Sequence, residues 1–93
     1  MAEKLATDDI AAKLQDMPDW TEINGSIQRT YAFPDFLKSI DFTNKLAAQA
    51  EEVQHHPDIL IRYNKVTLTL STHDAGGITD KDFDLATFDD NLA

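Results

Sequence analysis

No cysteine occurs among the 93 residues. Disulfide bridges and thiolate metal sites are therefore excluded, and the chain carries no redox address. Glycine and proline are scarce, three of each. That leaves little room for linkers and favours regular elements joined by short turns. Basic residues are outnumbered, eight Lys and Arg against 17 Asp and Glu, for a net charge of −9. Nucleic-acid binding depends on neutralising phosphates, so this balance argues against DNA and RNA as direct partners. It also argues against anionic membrane surfaces. No apolar run approaches the roughly 20 residues of a membrane-spanning helix. The opening "MAEKLATDDI" has acids where a signal peptide has its apolar stretch. The expectation is a cytoplasmic protein with one domain over residues 1–93, its acidity serving solubility.

Regular elements fill most of the sequence. "TDDIAAKLQDM" reads as a helix capped by Thr7 or Asp8, with Ile10, Ala11, Leu14 and Met17 on one face. "WTEINGSIQRTYAF" reads as a hairpin. A three-residue turn at Asn24-Gly25-Ser26 pairs Ile23 with Ile27. Ile27, Tyr31 and Phe33 then share a face, interrupted by Arg29. Trp20 reads as a core or interface residue.

A long helix follows in "PDFLKSIDFTNKLAAQAEEVQ", with Pro34 suited to its first turn. Phe36, Ile40, Ala47 and Ala50 form one stripe, and Phe42, Leu46 and Val53 a second beside it. This apolar surface is wider than a helix on a small sheet needs. A chain of this length has a modest core. A homodimer or homotetramer contact through residues 36 to 53 is therefore expected.

"ILIRYNKVTLTLST" forms a second hairpin. A two-residue turn at Asn64-Lys65 sets Tyr63 against Val66, Ile61 against Leu68 and Ile59 against Leu70, all apolar and on one face. The last element, "ITDKDFDLATFDDNLA", opens with Thr79 as helix cap and Asp82 three positions on, an Asp version of the capping box. Ile78 and Phe83 are placed for a hydrophobic staple. The order is α-β-β-α-β-β-α. It implies an α+β domain with a four-stranded antiparallel sheet and three helices packed on one face.

The histidines are the candidate chemistry. His55 and His56 are adjacent in "EEVQHHP", and His73 lies in "STHDAGG". Extending the second hairpin outward sets His56 opposite His73, on the face away from the apolar core. Pro57 supplies no amide there. Three imidazoles are thus expected to converge at one hairpin end, beside Gly76-Gly77, which reads as a tight turn. Adjacent histidines project in different directions, which disfavours joint metal ligation; no metal and no cofactor are expected. Acid–base chemistry needs only groups that titrate near neutrality. Glu51, Asp58 and Asp82 are placed to orient the rings.

The spacing is specific. Glu51, three residues, His55-His56-Pro57, five residues, Tyr63, nine residues, His73, eight residues, Asp82: this resembles the signature of the pterin-4a-carbinolamine dehydratases. "YNKVTLTLSTHDAGGITDKDFDLA" and Trp20 are similar to the family's pattern as well, so the resemblance runs from Trp20 to Ala86. Ile59 stands where members often carry an aromatic residue. The resemblance implies dehydration of 4a-hydroxytetrahydrobiopterin, or a related pterin, to the quinonoid dihydropterin and water. His55, His56 and His73 would be the catalytic centre, with Glu51, Pro57, Asp58 and Asp82 as substrate-binding partners. It also implies a functional link to an aromatic amino-acid hydroxylase, whose pterin cofactor would be recycled. The alternative role is that of a dimerisation cofactor for a transcription factor, through the long-helix face.

Overall fold

The computed structural model describes residues 2–93. Along the chain lie α1 (Thr7–Gln15), β1 (Thr21–Ile23), β2 (Ser26–Ala32), α2 (Phe36–Val53), β3 (Asp58–Arg62), β4 (Lys65–Leu70) and α3 (Asp80–Leu92). A short 3-10 turn, His73–Ala75, precedes α3. The expected α+β architecture and element order are present. No described helix is long and apolar enough to cross a membrane.

The strands form one antiparallel sheet in the order β1-β2-β4-β3. β4 is flanked on both sides, and its Val66, Leu68 and Leu70 are fully buried. Across from them on β2 stand Tyr31, Arg29 and Ile27. Alternation along each strand puts these residues on the face that the helices cover. The opposite face carries polar cross-strand pairs, such as Thr30 with Thr67 at 2.7 Å. Arg29, the polar interruption on the core face, bonds Asp90 of α3 at 2.8 Å.

Both hairpins differ from the sequence expectation. The first turn has two residues, not three: Asn24 (φ 50°) and Gly25 (φ 79°) both adopt left-handed conformations. That is the conformation that tight hairpins demand and that Asn-Gly tolerates. Ile23 therefore pairs with Ser26, and Ile27 with Glu22. A one-residue slip moves a side chain to the other face, and Ile23 is 40% exposed while Ile27 is buried.

In the second hairpin the turn is Tyr63-Asn64. Ile61 pairs with Val66 and Ile59 with Leu68. The shift is two residues, so the same side chains keep the core face. The ladder ends at Asp58–Thr69. It does not bring His56 opposite His73. The cause is tertiary. Asn64 receives the Phe33 amide on its carbonyl (2.8 Å) and donates its side-chain amide to the Phe33 carbonyl (3.0 Å). That holds Tyr63 at φ 55°, unusual for a bulky residue.

The helix caps also depart from expectation. Ala6, with no side-chain cap, precedes α1 in place of Thr7 or Asp8. Asp35 caps α2 by accepting the Lys38 amide at 2.8 Å, so Pro34 lies outside the helix. At the far end Gln54 turns left-handed, and the His55 amide bonds the Ala50 carbonyl at 3.0 Å. That is a Schellman-type stop made without glycine. α2 buries Ser39, Phe42, Leu46 and Ala50. Leu46 and Ala50 thus belong to the chain's own core. Charges placed there test folding, not subunit contact. Phe36, Leu37 and Val53 stay exposed.

Candidate functional site

The centre of the site is Asp82, fully buried in the first turn of α3. Its two oxygens have different work. Oδ2 accepts the Thr79 amide at 2.9 Å, and Thr79 in turn accepts the Lys81 amide. This is the capping box anticipated from the sequence. Oδ2 also accepts the Thr72 hydroxyl at 2.9 Å. Oδ1 bonds His55 Nε2 at 2.5 Å. Asp82 is therefore both a helix cap and a histidine anchor. His55, only 11% exposed through its side chain, reaches it because the left-handed stop of α2 turns the chain at Gln54.

The other expected residues are arranged less tightly. His56 bonds Glu51, one turn back in α2, at 2.7 Å; both are well exposed. The adjacent rings thus take separate carboxylates, one buried and one solvated. His73 opens the 3-10 turn and is exposed. It follows directly on Thr72, whose hydroxyl is bound to Asp82. Gly76 ends that turn at φ 76°, and Thr72 bridges to Gly77. Pro57 is half-buried and Asp58 exposed; among the described residues Asp58 has no hydrogen bond to a histidine. The structure joins His55, Asp82 and Thr72 in one network. It does not place His56 and His73 as ladder partners.

His55 also lines a cavity of about 260 Å³ between α2 and α3, with Gln49, Val53, Lys81, Asp84, Leu85 and Phe88. Its size is just below the roughly 300 Å³ at which ligand pockets usually begin. The sequence offers Val53 as part of an apolar stripe and gives none of these other lining residues, nor Thr72, a place in the site. The helical spacing of Lys81, Asp84, Leu85 and Phe88 places them on one side of α3, which is a legible signal. Nothing local marks Thr72, because its role comes from a contact ten residues on.

A second polar cluster lies further along α3. Asp90 accepts the Trp20 indole N–H at 3.1 Å, Arg29 at 2.8 Å and the Tyr31 hydroxyl. Burial, with the Asp90 carboxylate next, pushes the Tyr31 phenol above its ordinary range. Asp89 is fully buried, and both its oxygens lack a partner among the described residues. Burial first and the Asp90 charge second push its carboxyl up to about 7.

The fold and site define a class: a small α+β domain in which a buried, helix-capping carboxylate holds a histidine beside a cavity. The chain belongs to the pterin 4 alpha carbinolamine dehydratase family, whose model matches residues 3–92. It is 54% identical over 90 residues to a Picosynechococcus protein whose provisional name is pterin-4-alpha-carbinolamine dehydratase; the match covers 96% of this chain and 98% of that one. A Thermosynechococcus vestitus protein with the same provisional name is 50% identical over 93 residues, covering 100% and 98%. Among solved structures, a transcriptional coactivator/pterin dehydratase from Brucella melitensis superposes with a TM-score of 0.94 at 29% identity, over 98% of this chain and 99% of that one. A pterin dehydratase-like protein, identified as a RuBisCO assembly factor in the alpha-carboxysome, gives 0.66 at 25% identity, over 80% and 86%.

Proposed function

We propose that the protein dehydrates 4a-hydroxytetrahydrobiopterin, or a closely related 4a-hydroxytetrahydropterin, by histidine acid–base catalysis. The reading is carried by the buried Asp82–His55 pair beside a cavity, in a chain of this family. The reaction removes hydroxide from C4a and a proton from N5, forming the C4a=N5 double bond. Hydroxide is a poor leaving group, so its oxygen needs a proton as the bond breaks, and the N5 proton needs a base. Imidazoles near neutrality suit both tasks. His55, His56 and His73 are the proposed acid–base groups. Asp82 and Glu51 orient two of them, and Pro57 and Asp58 border the substrate. The quinonoid dihydropterin would then need a separate two-electron reduction to the tetrahydropterin before serving an aromatic amino-acid hydroxylase again.

Purified protein should accelerate loss of the 4a-hydroxy species in a coupled hydroxylase assay, with no metal added and with chelator present. Folded protein without effect on that decay would end this reading. Chelator-sensitive activity would replace acid–base chemistry with metal chemistry.

A second reading is protein binding through α2, where Phe36, Leu37 and Val53 are exposed. The coactivator name of the Brucella relative favours it. The same surface would serve a homodimer or homotetramer. Phe36→Glu should lower the sedimenting mass and leave dehydration by the remaining species intact. Native protein that sediments as a monomer at micromolar concentration would remove the oligomer.

A further inference from the structure

The hydrogen-bond chain behind Asp82 has a direction, and that direction specifies the protonation state of a ring. Thr72 Oγ1 lies 2.9 Å from Asp82 Oδ2 and 2.7 Å from Thr79 Oγ1. A hydroxyl has one proton to donate. The carboxylate oxygen accepts the Thr72 proton, so Thr79 must be the donor to Thr72. Thr79 Oγ1 itself accepts the Lys81 amide. The chain therefore runs from the Lys81 N–H through Thr79 and Thr72 to Oδ2, where the Thr79 amide also arrives. The Thr72 hydroxyl and the Thr79 amide both direct their protons to Oδ2, so the proton between Oδ1 and His55 is the ring's own, on Nε2. In the neutral ring, Nδ1 is then the nitrogen with a free lone pair.

Taken together with the proposed dehydration, we infer that Thr72 is a positioning residue: through Asp82 it holds His55 as the Nε2–H tautomer and presents Nδ1 as the proton acceptor. In the reaction Nδ1 takes the N5 proton, and the N–H electron pair forms the C4a=N5 bond. The C4a–O pair leaves with the oxygen, which gains its proton from a second acid; His56 is the adjacent candidate. The imidazolium that forms at His55 faces the Asp82 carboxylate. Thr72 touches neither substrate nor the reacting atoms.

Two measurements test this. The first is nitrogen-15 NMR of the His55 ring in the ligand-free protein, assigned with a His55 variant. The neutral ring should carry its proton on Nε2. A neutral ring protonated on Nδ1 overturns the inference, whatever the protein catalyses. The second uses Thr72→Val, which removes the hydroxyl at nearly constant shape. It should populate the Nδ1–H tautomer and lower kcat about tenfold, as loss of an orienting partner does, with KM within about twofold. Thr72→Ser should restore both. A Thr72→Val protein with unchanged tautomer and kcat, or a Ser variant as impaired as Val, also overturns it. If Val does not fold, the Ser variant and the wild-type spectrum decide. Wild-type protein that dehydrates no pterin but shows the Nε2–H tautomer would defeat the proposed function alone.

Discussion

Asp82 and Asp89 stand two turns apart on one face of α3, and both are fully buried. Their surroundings are opposite. Asp82 takes donors from Thr72, Thr79 and His55. Among the described residues Asp89 takes none, while its neighbour Asp90 accepts from Trp20, Arg29 and Tyr31. Burial of a carboxyl is thus not one kind of event. With partners it fixes a geometry. Without them it favours the protonated acid and leaves the ionised one costly.

The largest expected effect follows from Asp89. Its carboxyl titrates near 3.8 in an unfolded chain and at about 7 in the fold. Between those values the folded state holds a proton that the unfolded state has lost. Stability from this group is therefore full below about pH 4 and declines as pH rises to about 7. At roughly 1.4 kcal/mol per pKa unit the whole decline is as much as about 4 kcal/mol. Asp89→Asn should flatten this slope and be the more stable protein above pH 7. Urea unfolding at a series of pH values checks it; parallel curves for the two proteins would equate Asp89 with Asp82 after all.

Asp82→Asn removes the anchor of His55 and should lower dehydration on the order of 10²-fold. His55→Ala should do the same and also lower stability, since that ring is bonded to a buried acid and is not a surface group. Steady-state rates and melting curves, measured on the same samples, separate the two losses. Thr79→Ala removes the hydroxyl behind Thr72 and the acceptor of the Lys81 amide, while Asp82 keeps its direct donors. A loss of about 1–2 kcal/mol is expected for a capping residue, read by denaturant unfolding. Glu51→Gln is the smallest. Its pair with His56 is solvated, and exposed pairs contribute under about 1 kcal/mol. A melting temperature lowered as far as in Thr79→Ala would show the pair to be shielded.

Element order, the α+β class and the capping box of α3 were legible in the sequence, because each rests on local periodicity or spacing. The registers were not. Asn24-Gly25 carries its own turn signal, but Ser26 is also a common turn residue, so the pattern admits a three-residue loop as well. Tyr63 adopts a left-handed conformation that its side chain disfavours, held there by Asn64 against Phe33. That contact is remote in sequence, so pattern reading moved the turn and, with it, the predicted meeting of His56 and His73. Asp82 reads from the sequence as a partner for the rings, but its bond to His55 in particular does not. It depends on where α2 stops, and Gln54 makes that stop without the glycine that usually announces it. Asp89 is legible from its position: it falls two turns beyond Asp82, on the buried face.

The double duty of Asp82 ties local unfolding to occupancy of the working state. The first turn of α3 cannot fray without releasing the carboxylate that holds His55, and His55 cannot be held until that turn has formed. Helix initiation and site assembly are one equilibrium, measured by one opening free energy. Amide exchange at the first turn of α3 thus reports the fraction of molecules whose site is assembled, a quantity that global stability leaves unmeasured.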